Sequence, residues 1–163
     1  MMSPNIDNGS DLVNEATVQP NGADAVIATA LAQLGKPYKL GTEGPSTFDC
    51  SGLVWFCFNL NGLASLIGGA RHRANWYYNW FKSQNRFSSN VALAVAGDLI
   101  VYGSPDSVTH IGIYRGDGIR RPLVSALTNP FGVSKTRING LEHTDGSKLP
   151  IVGVCKVQYS QNG

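Results

Sequence analysis

The chain has 163 residues, enough for one domain with a sizeable core, since a domain of this length buries roughly 70% of its unfolded surface. A hydrophobic content of 42% excludes wholesale disorder, and a net charge of +2 with scattered basic residues excludes the clustered basic face of a nucleic-acid-binding protein. No segment has the ~20 consecutive apolar residues that cross a bilayer, so no membrane span is expected.

Residues 1–21 are polar, rich in Asn, Ser and Asp, and carry Pro20 near their end; they read as a flexible leader or linker ahead of one domain over residues 22–160. They have neither the basic n-region nor the apolar h-region of a secretory signal. From Ala23 onward Val26, Ile27, Ala30, Leu31 and Leu34 recur at helical spacing, until Gly35 and Pro37 stop the run. The loop "KPYKLGTEGPST" follows, and a second helix is expected from Cys50 through "SGLVWFCFNL" to Asn61-Gly62.

More helix is expected between Ala64 and Gln84, broken at Gly68-Gly69, with "RHRANWYYNWFKSQ" as its main piece. Its aromatics Trp76, Tyr77, Tyr78, Trp80 and Phe81 are too many for one face; they suit helix-to-sheet packing with one or two rings left outside, or a groove that stacks on sugar or peptide. Arg71 and Arg73 read as solvated helix arginines, with carboxylate binding through a bidentate fork as the alternative. Beyond Asn90 the pattern becomes short strands: "GDLIVY", "VTHIGIYR", "PLVSAL" and "IVGVCKVQY". "GSPDS" suits a hairpin loop of about five residues, and "GDG" at 116–118 a tight turn. Helices first and strands later give an α+β fold, with N-terminal helices packed on a C-terminal antiparallel sheet.

Three cysteines, Cys50, Cys57 and Cys155, make no even disulfide framework and no metal-type spacing, and no HExxH occurs, so no metal or other cofactor is implied. Cys57 follows Cys50 by seven residues, about 10 Å along a helix and too far for a disulfide. Cys57 and Cys155 read as core. Cys50 stands at a helix N-terminus, where unpaired N–H groups and the helix dipole favour thiolate and can hold an oxyanion. A small buried residue that happens to begin a helix fits the same position.

A thiol nucleophile needs a base, and three histidines are available. His110 lies in "VTHIGIY", where alternation places Val108, His110, Gly112 and Tyr114 on one face, with Gly112 leaving room for a helix end. His72 falls between two arginines on a helix and His143 in the loop "LEHTDG", both readable as surface residues.

Two blocks, "LGKPYKLGTEGPSTFDCSGLV" and "AGDLIVYGSPDSVTHIGIYRGDG", resemble the NlpC-type family of papain-like cell-wall peptidases, in this order and over most of the chain. The resemblance implies a papain-like core with Cys50 as nucleophile and His110 as general base. It aligns Tyr38 with an aromatic that assists the oxyanion or substrate, and Asp49 and Ser51 with positions lining the substrate groove. The third catalytic position, usually His, Asn or Gln, falls on Ser125, a departure that leaves a weaker orienting group or a Cys-His dyad; Asn129 and His143 are the other candidates.

The implied activity is hydrolysis of an amide in the peptidoglycan stem peptide, at the D-Glu to diamino-acid linkage. The rivals are an N-acetylmuramoyl-L-alanine amidase of related fold, another thiol acyl transferase, and a non-catalytic wall-binding module. Action on the cell wall without a secretory signal suits a phage lysin or an enzyme delivered by a non-Sec route. Oligomeric state is not readable from the sequence.

Overall fold

The structure is a computed structural model that describes residues 21–141 and 147–159. The polar leader 1–20 and His143 lie outside the described residues. Among the described residues three α-helices precede the strands: α1 (Gly22–Ala32), α2 (Cys50–Leu60) and α3 (Ala74–Ser83). Six strands follow: β1 (Phe87–Ser88), β2 (Leu99–Ser104), β3 (Ser107–Tyr114), β4 (Leu123–Leu127), β5 (Gly132–Thr136) and β6 (Ile151–Cys155). They form one antiparallel sheet in the order β1-β6-β2-β3-β4-β5. This is the expected α+β arrangement.

Asn21 caps α1 by accepting from the Asp24 N–H at 2.8 Å. In α2 the buried residues Leu53, Val54, Cys57 and Phe58 share one stripe at helical spacing. They pack with Val26 and Ala30 of α1 and with Val101, Ile111, Ile113 and Val124 of the sheet. Each such fully buried apolar side chain contributes about 2 kcal/mol relative to exposure. Cys57 and Cys155 are buried in this core as free thiols.

Helix α3 presents Ala74, Tyr77, Tyr78 and Phe81 inward at spacings of three and four, while Trp76 stays 37% exposed. The aromatic run is thus helix-to-sheet packing with an outer ring left over. The helix begins at Ala74, so Arg71, His72 and Arg73 precede it as extended chain instead of forming its first turn. Ala64–Ile67 is one 3₁₀ turn. No helix among the described residues is long and apolar enough to cross a membrane.

Two local details of the sheet differ from expectation and both bear on the site. The β2–β3 connection is a two-residue turn at Pro105-Asp106, tighter than a five-residue loop, and the ladder slips by one residue between Tyr102↔His110 and Gly103↔Val108. Thr109 is the extra residue of this bulge. Val108 therefore packs with Ile111 and Ile113 on the helix-covered face, while His110 keeps company with Tyr102. Strict alternation had put Val108 and His110 on the same side.

Gly112 does not make room for a helix end: a Cβ there would stand 2.7 Å from Leu123 Cδ1 and 3.0 Å from Ser125 Cβ, so β4 fills that space. Strand β5, "GVSKT", was not expected at all. It is an edge strand whose outer side bonds Gly35-Lys36, with Gly35 N to Val133 O at 2.9 Å and Val133 N to Lys36 O at 3.0 Å. Edge strands tolerate charge and need little apolar alternation, which removes the usual signal.

Candidate active site

Cys50 is the first residue of α2, and Asp49 is its N-cap: Asp49 Oδ1 accepts from the Gly52 N–H at 2.7 Å. The tight approach that Gly52 permits fixes this corner, since a Cβ there would lie 2.0 Å from the Thr42 carbonyl oxygen. The Cys50 thiol is 3.9 Å from the Thr109 carbonyl, so the bulge residue of β3 meets the start of α2. Burial pushes the Cys50 thiol up to about 11 and the Asp49 charge adds to this, while the Ile111 and Ser51 N–H groups and Arg71 pull the other way. The helix N-terminus alone argued for a thiolate; desolvation of the half-buried sulfur and a carboxylate cap oppose it.

His110 is 8% exposed, and burial lowers its imidazole to about 4. Its ring lies 5.6 Å from the Tyr102 ring, tilted by 59°. Cys50 and His110 both line one open cleft of about 1150 Å³, together with Tyr38 and Thr109. Both shifts favour the uncharged forms, a thiol and a neutral imidazole lining one cleft. Below a thiol pKa the thiolate fraction grows with pH, so alkylation of Cys50 by iodoacetamide is expected to accelerate about tenfold per unit between about pH 7 and 9. A rate already flat across that range, measured by mass spectrometry of the Cys50 peptide, would instead show a preformed thiolate–imidazolium pair.

Ser125 sits on β4 beside Gly112 and is fully buried. Its Oγ and His110 Nε2 both lack a protein hydrogen-bond partner among the described residues. The structure thus shows no bond between the two: Ser125 adjoins Gly112, two residues along β3 from His110. Asn129 lines the cleft on the β4–β5 turn. Because Oγ makes no bond, Ser125→Ala is expected to lower kcat/KM by no more than about threefold; a firmly orienting hydrogen bond would cost far more. Steady-state kinetics on a defined peptide substrate distinguish the two outcomes.

Asp49 and Ser51 stand behind the cleft wall and belong to an ion-pair network that the sequence did not reveal. Arg71 Nη2 lies 2.8 Å from both Asp49 oxygens, Nη1 donates to Ser51 Oγ at 2.8 Å and to the His72 carbonyl at 2.7 Å, and Nε reaches Glu43 Oε1 at 3.2 Å. Asp49 Oδ2 also accepts from the Gly41 N–H at 2.7 Å. The guanidinium donors and the Asp49 lone pairs are therefore engaged within the protein. Arg71 is a pairing residue and not a solvated one. Tyr38 faces the cleft, and burial, then the nearby Cys50 and Asp49, hold its hydroxyl above the usual range, so it stands as a neutral donor.

A family model described as the NlpC/P60 family matches residues 35–128. The chain is 39% identical over 130 residues to a probable endopeptidase p60 of Listeria grayi, a match covering 78% of this chain and 22% of that protein. Among solved structures, NlpC2 from Trichomonas vaginalis aligns with a TM-score of 0.63 at 25% identity, over 86% of this chain and 48% of that one. The peptidoglycan hydrolase RipB from Mycobacterium tuberculosis aligns with a TM-score of 0.56 at 28% identity, over 85% of this chain and 66% of that one. The chain spans less than a quarter of the length of the curated relatives it matches.

Proposed function

This chain belongs to the NlpC/P60 family, a family of cysteine peptidases with a papain-like fold, and from that premise we propose that it is an endopeptidase acting on the peptide stems of bacterial cell wall. The bond it cuts is the amide joining D-Glu to the diamino acid, and the working unit is residues 22–160. The observation that carries this reading is the shared cleft: Cys50, at the start of a helix, and His110, on the central strand β3, open onto the same space.

The chemistry follows from the two neutral groups. When substrate fills the cleft, His110 takes the Cys50 proton as the sulfur attacks the amide carbonyl carbon. The oxyanion so formed is held by N–H groups at the start of α2, with the Tyr38 hydroxyl as a further donor. Collapse breaks the C–N bond, and His110 passes its proton to the leaving amine. Water, deprotonated by the same imidazole, then attacks the thioester and releases the acid and the thiol. Ser125 takes the third position as a weak orienting group, and Asp49 and Ser51, locked by Arg71, back the groove that receives the acyl half.

The test is digestion of defined muropeptides by the purified chain, read by mass spectrometry. A new amine on the diamino acid together with a dipeptide ending in D-Glu is expected. A new amine on L-Ala with intact stem peptide would assign an amidase instead, and no change in any muropeptide would remove the peptidase reading.

A further inference from the structure

The proton on the leaving amine comes from His110, so the leaving half of the substrate lies on the His110 side of Cys50, toward β4 and β5. There the cleft wall carries Arg121, Lys135 and Arg137. All three are exposed, and none has an ion-pair partner among the described residues. No Asp or Glu is among the described residues lining the cleft. Pairing of Leu123 with Thr136 puts Arg121 and Arg137 together at the open end of the β4–β5 ladder, and Lys135 follows one residue inside it.

Like charges brought together on adjoining strands repel, and no carboxylate among the described residues pairs with these three. On the other side of Cys50 the acids Asp49 and Glu43 are both taken up by Arg71. The neutral His110 adds no charge of its own at working pH. The cleft is therefore polarised: an acyl side whose two acids share one guanidinium, and a leaving side with three cations that have no ion-pair partner among the described residues.

Building on the endopeptidase reading, we propose that Arg121, Lys135 and Arg137 are specificity residues that select a leaving segment bearing free carboxylates over the same segment in carboxamide form. The groups they read are the unamidated side-chain carboxylate of the diamino acid and the carboxylate that ends the stem. Arginine suits this role through its bidentate fork, and lysine through a mobile point charge.

The experiment uses two synthetic stem peptides that differ only in carrying carboxylates or carboxamides beyond the scissile bond. Binding of each to the Cys50→Ala protein is measured by calorimetry, which reads selection without turnover. The acid is expected to bind about tenfold more tightly, roughly 1.4 kcal/mol, as two to three exposed charge pairs would give. Raising salt from about 0.05 to about 0.5 M should shrink that ratio several-fold, a result needing no substitution in the cleft. In the Lys135→Glu/Arg137→Glu double variant the ratio should fall to unity or invert.

Equal affinity for the two peptides, tighter binding of the amide, no measurable binding of the acid, or a ratio unchanged by the double variant would each overturn the proposal. Digestion by the parent protein is scored separately. Failure to cut either peptide would count against the endopeptidase reading, while the binding ratio still decides the role of the three cations.

Discussion

Replacing Cys50 by alanine is expected to leave a folded protein that no longer cuts stem peptides, with kcat/KM down at least about a thousandfold. The sulfur is the nucleophile at the start of α2 that opens onto the cleft, whereas Ser51 Oγ is buried and bonded to Arg71; Cys57 and Cys155 are sealed in the core and burial raises both thiols far above their usual range. Its loss should be quiet structurally. The thiol donates only at long range, to the Thr109 carbonyl at 3.9 Å, so unfolding free energy should change by no more than about 1 kcal/mol. The measurements are muropeptide digestion and urea unfolding on the same preparation. Activity within tenfold of the parent would mean that another nucleophile does the work, and the cleft would have to be reread.

Arg71→Ala should have the opposite profile, a large effect on stability. The Asp49 side chain is 8% exposed and that of Arg71 21%, so the pair is mostly out of water. Removing the guanidinium leaves a carboxylate with only the Gly41 and Gly52 N–H groups and a long contact to Ser51 Oγ at 3.4 Å. Breaking one half of a largely buried pair leaves an uncompensated charge, here worth about 2–3 kcal/mol after discounting for the partial exposure of Arg71. The urea midpoint should fall while the slope of unfolding stays the same. Arg71→Lys should recover only part of the loss, because an ammonium cannot bridge both carboxylate oxygens in plane. A change below about 0.5 kcal/mol for Arg71→Ala would show that water replaces the guanidinium and that the network contributes little. Activity should fall as well, since Asp49 caps the helix that starts at Cys50.

The features read correctly from sequence are those set by neighbours a few residues away. The apolar run "SGLVWFCFNL" between Cys50 and Asn61-Gly62 marked α2, with Cys50 at its start. Strands β2, β3, β4 and β6 announced themselves by apolar runs between turns. Strand β5 escaped because Gly132, Ser134 and Lys135 give an edge strand no apolar rhythm. Arg71 was misplaced because its partner Asp49 is 22 residues away, and an arginine before an aromatic helix looks the same whether paired or solvated.

Cys50 and His110 were nominated by sequence as a pair, yet the one-residue slip at Thr109 that separates His110 from Val108 is invisible to strand alternation.

The amino-acid order alone determined the three helices, the four apolar strands, and that a thiol would begin a helix, because those outcomes depend on contacts along a few consecutive turns. The three-dimensional fold decided the rest: that Cys50 and His110 share a cleft, that burial pushes both toward their uncharged forms, that Asp49 belongs to Arg71, and that three cations gather beyond the base. Desolvation and ion pairing depend on what surrounds a group in space, and residues 22 to 60 positions apart become surroundings only when the chain is folded.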